Sequence, residues 1–436
     1  MSAAVQHSAV VCIGQAGAAV GRLGYAKGGN RESATFSYDP RWLESTGRFS
    51  ISPDLALIEG HQYRKAPFKG RSGSVFHGAI ADTEPDGWGC RVIARDHARR
   101  RKALLQRGEP APSAALTDWD YLVGVDDFSR VGALRLKDAQ GNFLRCVEEG
   151  GRVTPPLLEL AHLLNASQAV EHGTETESDL RYLRGAGTSL GGLRPKCTLI
   201  DDGGHLAIGK FASVTDTRSV TRGEVLALHL AELSGIDAAQ ARIVSAQGSP
   251  VAVVRRFDRT IGGARIPYLS AASLLQAGRD EDRAYTEIAQ RIVAVGAFPE
   301  RDLPELWRRV AFNLLITNVD DHLHNHGFLH VGHGQWRLAP AFDLNPFPDK
   351  DRELKTWLTE DTGPVSSIDE VLRVASAFRL RPEQARHILA QVVLAIQNWR
   401  GVALSAPVCM EPHDLSDFAP AFEHAQMQKA AELLSR

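Results

Sequence analysis

The sequence has no strong excess of charge of either sign. It contains 50 lysines and arginines against 52 aspartates and glutamates, which gives a formal net charge of −2 at pH 7. A chain with this balance has no overall positive field that would draw it onto nucleic acid or an acidic membrane. Contact with DNA would therefore need a local basic patch or a separate DNA-binding partner.

Cysteine pairs and long apolar segments are also lacking. The five cysteines are isolated and form no C-x-x-C motif, which argues against a cysteine zinc site and fits a reducing compartment. No apolar run approaches the roughly 18 residues of a membrane-spanning helix, and no basic stretch precedes the first apolar segment. We therefore expect a globular, cytoplasmic protein with one large core or two to three smaller ones.

Glycines divide the N-terminal segment "SAVVCIGQAGAAVGRLGYAK". Val10 to Ile13 predicts a strand, and a glycine turn and a second strand follow. Gly14, Gly17 and Gly21 lack the G-x-G-x-x-G spacing of a dinucleotide-binding turn, which argues against that function. Further along, "ATFSYD" and "GALRLKD" predict strands.

The next segments mix basic and glycine-rich stretches. "WGCRVIARDHARRRKALLQ" predicts a helix, and we interpret its basic cluster, Arg99 to Lys102, as a solvated helix face rather than a phosphate-binding one. "LLELAHLLNASQAVEHG" predicts an amphipathic helix. "TETESDLRYLRGAGTSLGGLRP" is polar and glycine-rich, so we expect it to be mobile.

A glycine-rich loop, "RGAGTSLGGLRPK", extends from Arg184 to Lys196. "CTLI", the turn "DDGG" and "HLAIGKF" follow it and predict a β-hairpin. Glycines allow backbone N–H groups to approach phosphate oxygens closely. The loop is not a Walker A motif, because no Gly-Lys-Ser/Thr opens a helix, and taken alone it is more typical of a flexible surface loop.

Two charged residues follow the loop. Lys210 lies in the second strand of the predicted hairpin, and Glu224 lies in the helix predicted by "TRGEVLALHLAELSG", which Gly235 ends. In kinases a strand lysine held by a helix glutamate orients positive charge on nucleotide phosphates. An ordinary surface ion pair would explain both residues equally well.

The segment "ITNVDDHLHNHGF" concentrates acidic, amide and imidazole side chains after the apolar run "VAFNLLI". Asp320 and Asn325 are five positions apart, as are the base aspartate and the metal-binding asparagine of the protein-kinase catalytic loop. A hairpin is predicted next, and "APAFDLNP" then presents Asp343. Phosphoryl transfer requires hard oxygen ligands for Mg²⁺ and a carboxylate that accepts the proton of the attacking hydroxyl.

Two other kinds of site could use the same segment. His322, His324 and His326 could bind zinc together with Asp320 or Asp321. The kinase hypothesis is favoured because it also explains the loop, the strand lysine and the later aspartate. A glycosidase pair fits less well, since adjacent aspartates point in different directions. The first of the three histidines is interpreted as a brace of the loop.

On these residues the sequence resembles the HipA-like serine/threonine kinases, which are toxins of bacterial type II toxin–antitoxin pairs. The similarity rests on "SLGGLRPK", "GEVLALHLAELSGI", "VVRRFDR", "FNLLITNVDDHLHNHGFL" and "LAPAFDLNP". It implies an α+β, two-lobed protein-kinase-like fold. An N-terminal β-rich subdomain would cover residues 1–150, a small lobe with the glycine-rich loop 151–256, and a mainly helical large lobe with the catalytic loop 257–436.

The resemblance also implies a role for individual residues. Asp320 matches the catalytic base, and Asn325 and Asp343 match the Mg²⁺ ligands. Ser189 matches a loop serine that is autophosphorylated, with Thr188 as the adjacent alternative; a phosphoserine adds roughly two negative charges where nucleotide phosphates would lie. The residues expected to bind ATP are Lys210, Glu224, Gly191, Gly192, Lys196, Phe257 and Asn325.

Two positions depart from the family pattern. Arg255 stands where an acidic residue can occur before the hinge Arg-Phe-Asp. His324 replaces the Lys or Arg often found just before the metal-binding asparagine, which removes a fixed positive charge near the phosphates.

The resemblance implies a Mg²⁺- and ATP-dependent protein kinase and toxin that arrests growth. Its implied target is a cellular protein such as an aminoacyl-tRNA synthetase, and its implied partner is a HipB-like DNA-binding antitoxin, through which it meets DNA only indirectly. Two alternatives remain open. One is a nucleotide-binding regulator that transfers no phosphoryl group, and the other is a kinase for small molecules.

Overall fold

The computed structural model describes residues 5–65, 73–145, 159–186, 192–278 and 281–435. The chain forms two compact units. The first consists of Met1–Val214 together with Asp258–Leu269, and the second of Thr215–Phe257 together with Ser270–Arg436. In the described part of the chain, no helix is both long and apolar enough to span a bilayer.

The first unit contains seven complete strands and six helices in its described part. The strands are β1 Val5–Ile13, β2 Ala18–Gly28, β3 Arg31–Tyr38, β4 Gln62–Lys65, β5 Leu134–Lys137, β6 Lys196–Ile200 and β7 Leu206–Lys210. The helices are α1 Pro40–Glu44, α2 Gly78–Ala81, α3 Gly87–Gln106, α4 Asp118–Gly124, α5 Leu160–His172 and α6 Glu177–Ala186.

The second unit is mainly helical. Its strands are β8 Ala241–Ala246, β9 Ser249–Arg255, β11 Gly327–Gly332 and β12 Gln335–Leu338, and β10 Tyr268–Ser270 leads into it from the first unit. Its helices are α7 Val220–Leu233, α8 Ala271–Leu275, α9 Tyr285–Val295, α10 Pro299–Leu315, α11 Ile368–Arg373, α12 Pro382–Gln397, α13 Trp399–Leu404, α14 Pro412–Phe422 and α15 Ala425–Leu434. The segments 323–325 and 375–378 are 3₁₀ turns.

Five strands of the first unit form one antiparallel sheet in the order β4-β3-β2-β1-β5. Alternate residues of β2 and β3, such as Leu23 and Phe36, are fully buried, which gives the sheet its core face. Gly14 and Gly17 close the β1–β2 turn with φ angles of 73° and 67°. The strands predicted from "SAVVCIGQAGAAVGRLGYAK", "ATFSYD" and "GALRLKD" are therefore present, and these two glycines serve a hairpin turn.

Helix α3 contains the predicted basic cluster. Arg99 pairs with Glu175, the two polar atoms being 3.7 Å apart, and Arg100 pairs with Asp96 at 3.1 Å. Both arginine side chains remain about half exposed. The cluster is thus partly neutralised by carboxylates of its own unit, which the interpretation as a solvated face did not anticipate.

The expectation of a mobile segment before the hairpin is wrong for its first half. Residues Glu177–Ala186 form helix α6, in which Leu180 and Leu183 are completely buried. Leucines three positions apart lie on one side of a helix, so a short apolar face is enough to dock it. The segment is polar on average, so its composition does not reveal these two leucines as a buried face.

Helix α10 is the central element of the second unit and packs against α9 and α12. Its buried side chains include Leu303, Trp307, Phe312 and Leu315. Helix α7 and the β11–β12 hairpin occur where the sequence predicts them, and α12 forms from the amphipathic segment "PEQARHILAQVVLAIQ". Leu233, the last residue of α7, is 58% exposed.

Candidate functional site

The chain leaves α10 through a left-handed residue. Thr317 has a φ angle of 57°, unusual for a β-branched side chain, and is fully buried. Its hydroxyl donates to the Ala421 carbonyl at 2.9 Å, and its own carbonyl accepts the Phe347 N–H at 3.1 Å. Bonds on both sides therefore hold this turn, and with it the start of the loop that carries Asp320.

Asp321 is the buried anchor of the loop. Its side chain accepts hydrogen bonds from the Tyr285 hydroxyl, from Asn313 Nδ2 at 2.8 Å and from His326 Nε2 at 3.0 Å. Burial raises the pKa of Asp321, but the interaction with His326 and these hydrogen bonds outweigh burial and hold the pKa below its ordinary value. The carboxylate thus fastens α9 and α10 to the loop and also bonds to the far end of the loop itself.

Asp320, the preceding residue, faces the opposite environment. Its side chain is 47% exposed and forms an ion pair with the ammonium of Lys355. The backbone beside Lys355 is bonded to the loop, since its N–H donates to the Val319 carbonyl at 3.1 Å. An exposed carboxylate on a fixed backbone is accessible to an incoming hydroxyl group, as a catalytic base must be.

Asn325 is oriented by the loop itself. It ends the 3₁₀ turn, and its side-chain N–H donates to the Asp320 carbonyl at 3.1 Å. That bond uses the amide nitrogen, so the amide oxygen is the side-chain atom that could bind a metal ion. Asn325 therefore offers a hard oxygen ligand next to the proposed base.

A chain of three asparagines connects the loop to Asp343. Asn313 Oδ1 accepts from Asn318 Nδ2 at 3.2 Å, and Asn318 Oδ1 accepts the Asn345 N–H at 3.1 Å. Asn345 Nδ2 in turn donates to Asp343 Oδ1 at 3.2 Å. Because Asn313 also donates to Asp321, hydrogen bonds run without a break from one aspartate to the other.

The ligand atoms at these positions suit Mg²⁺ better than zinc. An amide oxygen from Asn325 and a carboxylate from Asp343 are the hard ligands that Mg²⁺ prefers. His326 is committed to Asp321, and no group of three or more metal-type side chains converges anywhere in the described ranges. The histidine that braces the loop by its side chain is His326. His322 contributes its backbone carbonyl, which accepts the Asn325 N–H at 2.8 Å.

Phe257 and Glu224 are the other predicted residues in the second unit. The Phe257 ring lies 5.3 Å from the ring of Phe342, the residue just before Asp343. Glu224 is buried in α7, where a carboxylate needs a charged or hydrogen-bonding partner. The structure thus places Phe257 beside the segment that carries Asp343. The pairing of Glu224 with Lys210 stays a prediction.

The remaining predicted residues belong to the first unit. Lys196 and Lys210 are directly opposite each other in the β6–β7 hairpin. Lys196 is 3% exposed, and its ammonium lies 2.9 Å from the Asp86 carboxylate. Gly192, with a φ angle of 101°, has its carbonyl bonded to the Trp88 N–H at 3.2 Å. The other loop residues we predicted, Thr188, Ser189 and Gly191, lie outside the described residues.

Sequence inspection missed three contributors to these sites. Asp86 carries a local signal, since an aspartate before "GWG" is typical of a helix N-cap, and it does accept the Gly89 N–H at 2.6 Å. Lys355 and Tyr285 have no such local signal in the sequence. Their roles arise from contacts with residues 35 and 36 positions away, which no local pattern records.

The fold and these residues define an α+β chain of the protein-kinase-like class. The model of the HipA N-terminal domain matches residues 12–107, and that of the HipA-like C-terminal domain matches residues 188–400. Together they match well over half of the chain. The protein belongs to the HipA-like family, as the sequence motifs predict.

Two relatives illustrate the similarity. The putative kinase Y4mE of Sinorhizobium fredii (strain NBRC 101917 / NGR234) is 26% identical over 338 residues, 71% of each chain. A chain in the solved toxin–antitoxin complex of HipA, HipB and operator DNA from Shewanella oneidensis MR-1 superposes with a TM-score of 0.64. That match covers 98% of this chain and 99% of the other at 16% identity. This likeness confirms the predicted fold class.

Proposed function

We propose that this protein is a Mg²⁺- and ATP-dependent serine/threonine protein kinase. The observation that carries the proposal is the arrangement around Asp320. Its side-chain carboxylate is exposed, and its backbone carbonyl orients Asn325. The hydrogen-bonded asparagines that lead to Asp343 add a second oxygen ligand on a fixed backbone. The match to a putative kinase supports the same chemistry.

In the proposed reaction Asp320 accepts the proton of the attacking hydroxyl. The hydroxyl oxygen bonds to the γ-phosphorus of ATP while the bond from that phosphorus to the bridging oxygen breaks, and ADP leaves. Asn325 and Asp343 would hold Mg²⁺, which neutralises charge on the phosphates. Lys210, Lys196, Gly191 and Gly192 would contact the phosphates, Glu224 would orient Lys210, and Phe257 would line the adenine.

The proposed cellular role is that of a toxin that phosphorylates a cytoplasmic protein and arrests growth. An aminoacyl-tRNA synthetase is the target class that family resemblance suggests. The solved structural neighbour is a complex with HipB and operator DNA, which supports a HipB-like antitoxin as partner of this chain. DNA would then be reached through the antitoxin. Autophosphorylation of Ser189, or of the adjacent Thr188, would act as the off switch.

The decisive experiment compares the intact mass of the parent protein and of Asp320→Ala after incubation with Mg²⁺ and ATP. Asp320→Ala should bind ATP like the parent and transfer no phosphoryl group, because only the proton acceptor is removed. Fragmentation then locates the modified residue in the parent. Transfer by Asp320→Ala at the parent rate would contradict the assignment of the base.

The same incubation, repeated with other acceptors and beside an ATP-binding assay, separates the alternatives. Tight ATP binding without transfer to this chain or to any protein would favour a nucleotide-binding regulator that acts with its antitoxin. Transfer to sugars or aminoglycosides, and to no protein, would favour a small-molecule kinase. The exposed Asp320 beside an oriented Asn325 argues against the first of these, since a regulator needs no accessible base.

A further inference from the structure

A lysine from outside the catalytic loop touches the proposed base. Lys355 follows Asp320 by 35 positions, and its ammonium forms an ion pair with the Asp320 carboxylate. The two side chains are 62% and 47% exposed. Exposed pairs of this kind stabilise a fold by about 1 kcal/mol or less, so folding stability is a weak reason for the placement.

The backbone that presents Lys355 is held firmly. The Lys355 N–H donates to the Val319 carbonyl at 3.1 Å, and the Thr356 N–H donates to the Asp321 carbonyl at 3.1 Å. The Thr356 hydroxyl donates to the same Asp321 carbonyl at 2.8 Å. The backbone of this segment is therefore bonded to the loop, while the Lys355 side chain stays largely exposed.

The loop itself carries no fixed positive charge. Between Asp320 and His326 the sequence is "DDHLHNH", with no lysine or arginine, and His324 precedes Asn325. The γ-phosphoryl group in transfer is anionic, and cationic side chains aimed at its oxygens are a main source of rate enhancement. Lys355 brings an ammonium to the point where the loop lacks one.

We propose that Lys355 is a catalytic residue of phosphoryl transfer, an inference that rests on the proposed kinase function. Without substrates its ammonium pairs with Asp320. During transfer it contacts the γ-phosphoryl oxygens while Asp320 takes the hydroxyl proton. The acceptor O–P bond forms, the bond to the ADP oxygen breaks, ADP carries away its electron pair, and Lys355 stays protonated throughout.

The test uses Lys355→Met and Lys355→Arg, with Lys350→Met as the matched control. Lys350 is an exposed lysine in the same connecting segment and has no place in the proposed site. The readouts are the rate constant of single-turnover transfer at saturating Mg²⁺ and ATP, and the affinity for a non-hydrolysable ATP analogue. The acceptors are the protein itself and casein.

We expect Lys355→Met to slow transfer by about 10- to 100-fold while analogue affinity stays at the parent value. Lys355→Arg should recover most of the lost rate, because it restores the cation. Lys350→Met should match the parent in both readouts. Thermal unfolding should be unchanged in all three variants, because the lysines are exposed.

Four results would overturn the proposal. Transfer by Lys355→Met as fast as by Lys350→Met shows that the lysine has no catalytic role, and faster transfer shows that it blocks Asp320. Loss of analogue affinity without loss of rate makes it a nucleotide-binding residue. If the parent transfers nothing to either acceptor, the proposed function is contradicted and the role of Lys355 with it. This outcome is distinct from the other three.

Discussion

At the scale of the residue, surroundings separate two chemically identical neighbours. Asp321 is buried with three donors and fastens the loop, whereas Asp320 is half exposed and pairs with the exposed side chain of Lys355. The spacing of Asp320 and Asn325 in the sequence indicates kinase chemistry. The spacing gives no information about Tyr285, because the packing of α9 against α10 is what brings the Tyr285 hydroxyl to Asp321.

Tyr285→Phe tests the anchor at Asp321. Burial, and then the Asp321 charge, raise the pKa of Tyr285 well above its ordinary value, so the hydroxyl stays a donor. Removing it should lower the free energy of unfolding by about 1–2 kcal/mol, because one donor to a buried carboxylate is lost. Urea unfolding checks this, with Tyr63→Phe, which is 73% exposed, as the control. Equal stability of the two variants would contradict the prediction.

At the scale of the element, the stem of the glycine-rich loop, Gly192 to Lys196, packs against the N-terminus of α3. Asp86 caps the helix and pairs with Lys196, and the Trp88 N–H binds the Gly192 carbonyl. Lys196 also faces Lys210 across the hairpin, and like charges in that position repel unless an anion lies near. Asp86 supplies such an anion from a part of the chain 110 positions away.

Asp86→Asn should weaken this docking. Asparagine still caps a helix well, so the main loss is the charge beside a buried ammonium. We expect about 3–5 kcal/mol of destabilisation and weaker ATP binding. Lys196→Met in the same chain should recover stability, since no buried charge then lacks a partner. The control is Asp39→Asn at the N-cap of α1, where the paired arginine is exposed. Equal effects at the two caps would argue against the docking role.

Ser189→Ala tests the proposed autophosphorylation of the glycine-rich loop. If Ser189 is the off switch, the variant should phosphorylate an external protein at the parent's initial rate and lose the slow decline in activity, because no loop phosphate forms to repel ATP. Progress curves and intact mass follow both effects, with Thr188→Ala as the matched control. Unchanged autophosphorylation of Ser189→Ala would move the site to Thr188 or elsewhere.

At the scale of the whole molecule, the first unit is assembled from distant parts of the chain. Asp258, at the start of its returning segment, accepts the Gly132 N–H at 2.7 Å, and Arg265 donates to the Asp127 carbonyl at 2.5 Å. Arg130 is almost fully buried and donates to backbone carbonyls around it. Sequence inspection does not find such a network, because it reads charged residues in loops as solvated.

Asp126→Asn tests the buried charged residues of the first unit. Burial raises the pKa of Asp126 to about 7, so between about pH 4 and pH 7 the folded protein keeps a proton that the unfolded chain has lost. Its contribution to stability therefore falls as the pH rises to about 7. The asparagine variant should gain about 2–4 kcal/mol at pH 8 and less at pH 5. Thermal unfolding at both values checks this, against the exposed control Asp202→Asn. A gain that does not depend on pH would refute it.

The sequence by itself determined the family and those elements whose patterns are local. Strand alternation, the glycine turns, the apolar faces of α7 and α12, and the order of Asp320, Asn325 and Asp343 are local or ordered patterns, and each element forms where its pattern lies. Tertiary structure decided which distant side chains complete the site. Asp86 meets Lys196, Tyr285 meets Asp321 and Lys355 meets Asp320, because packing brings together residues whose separation along the chain carries no repeating signal.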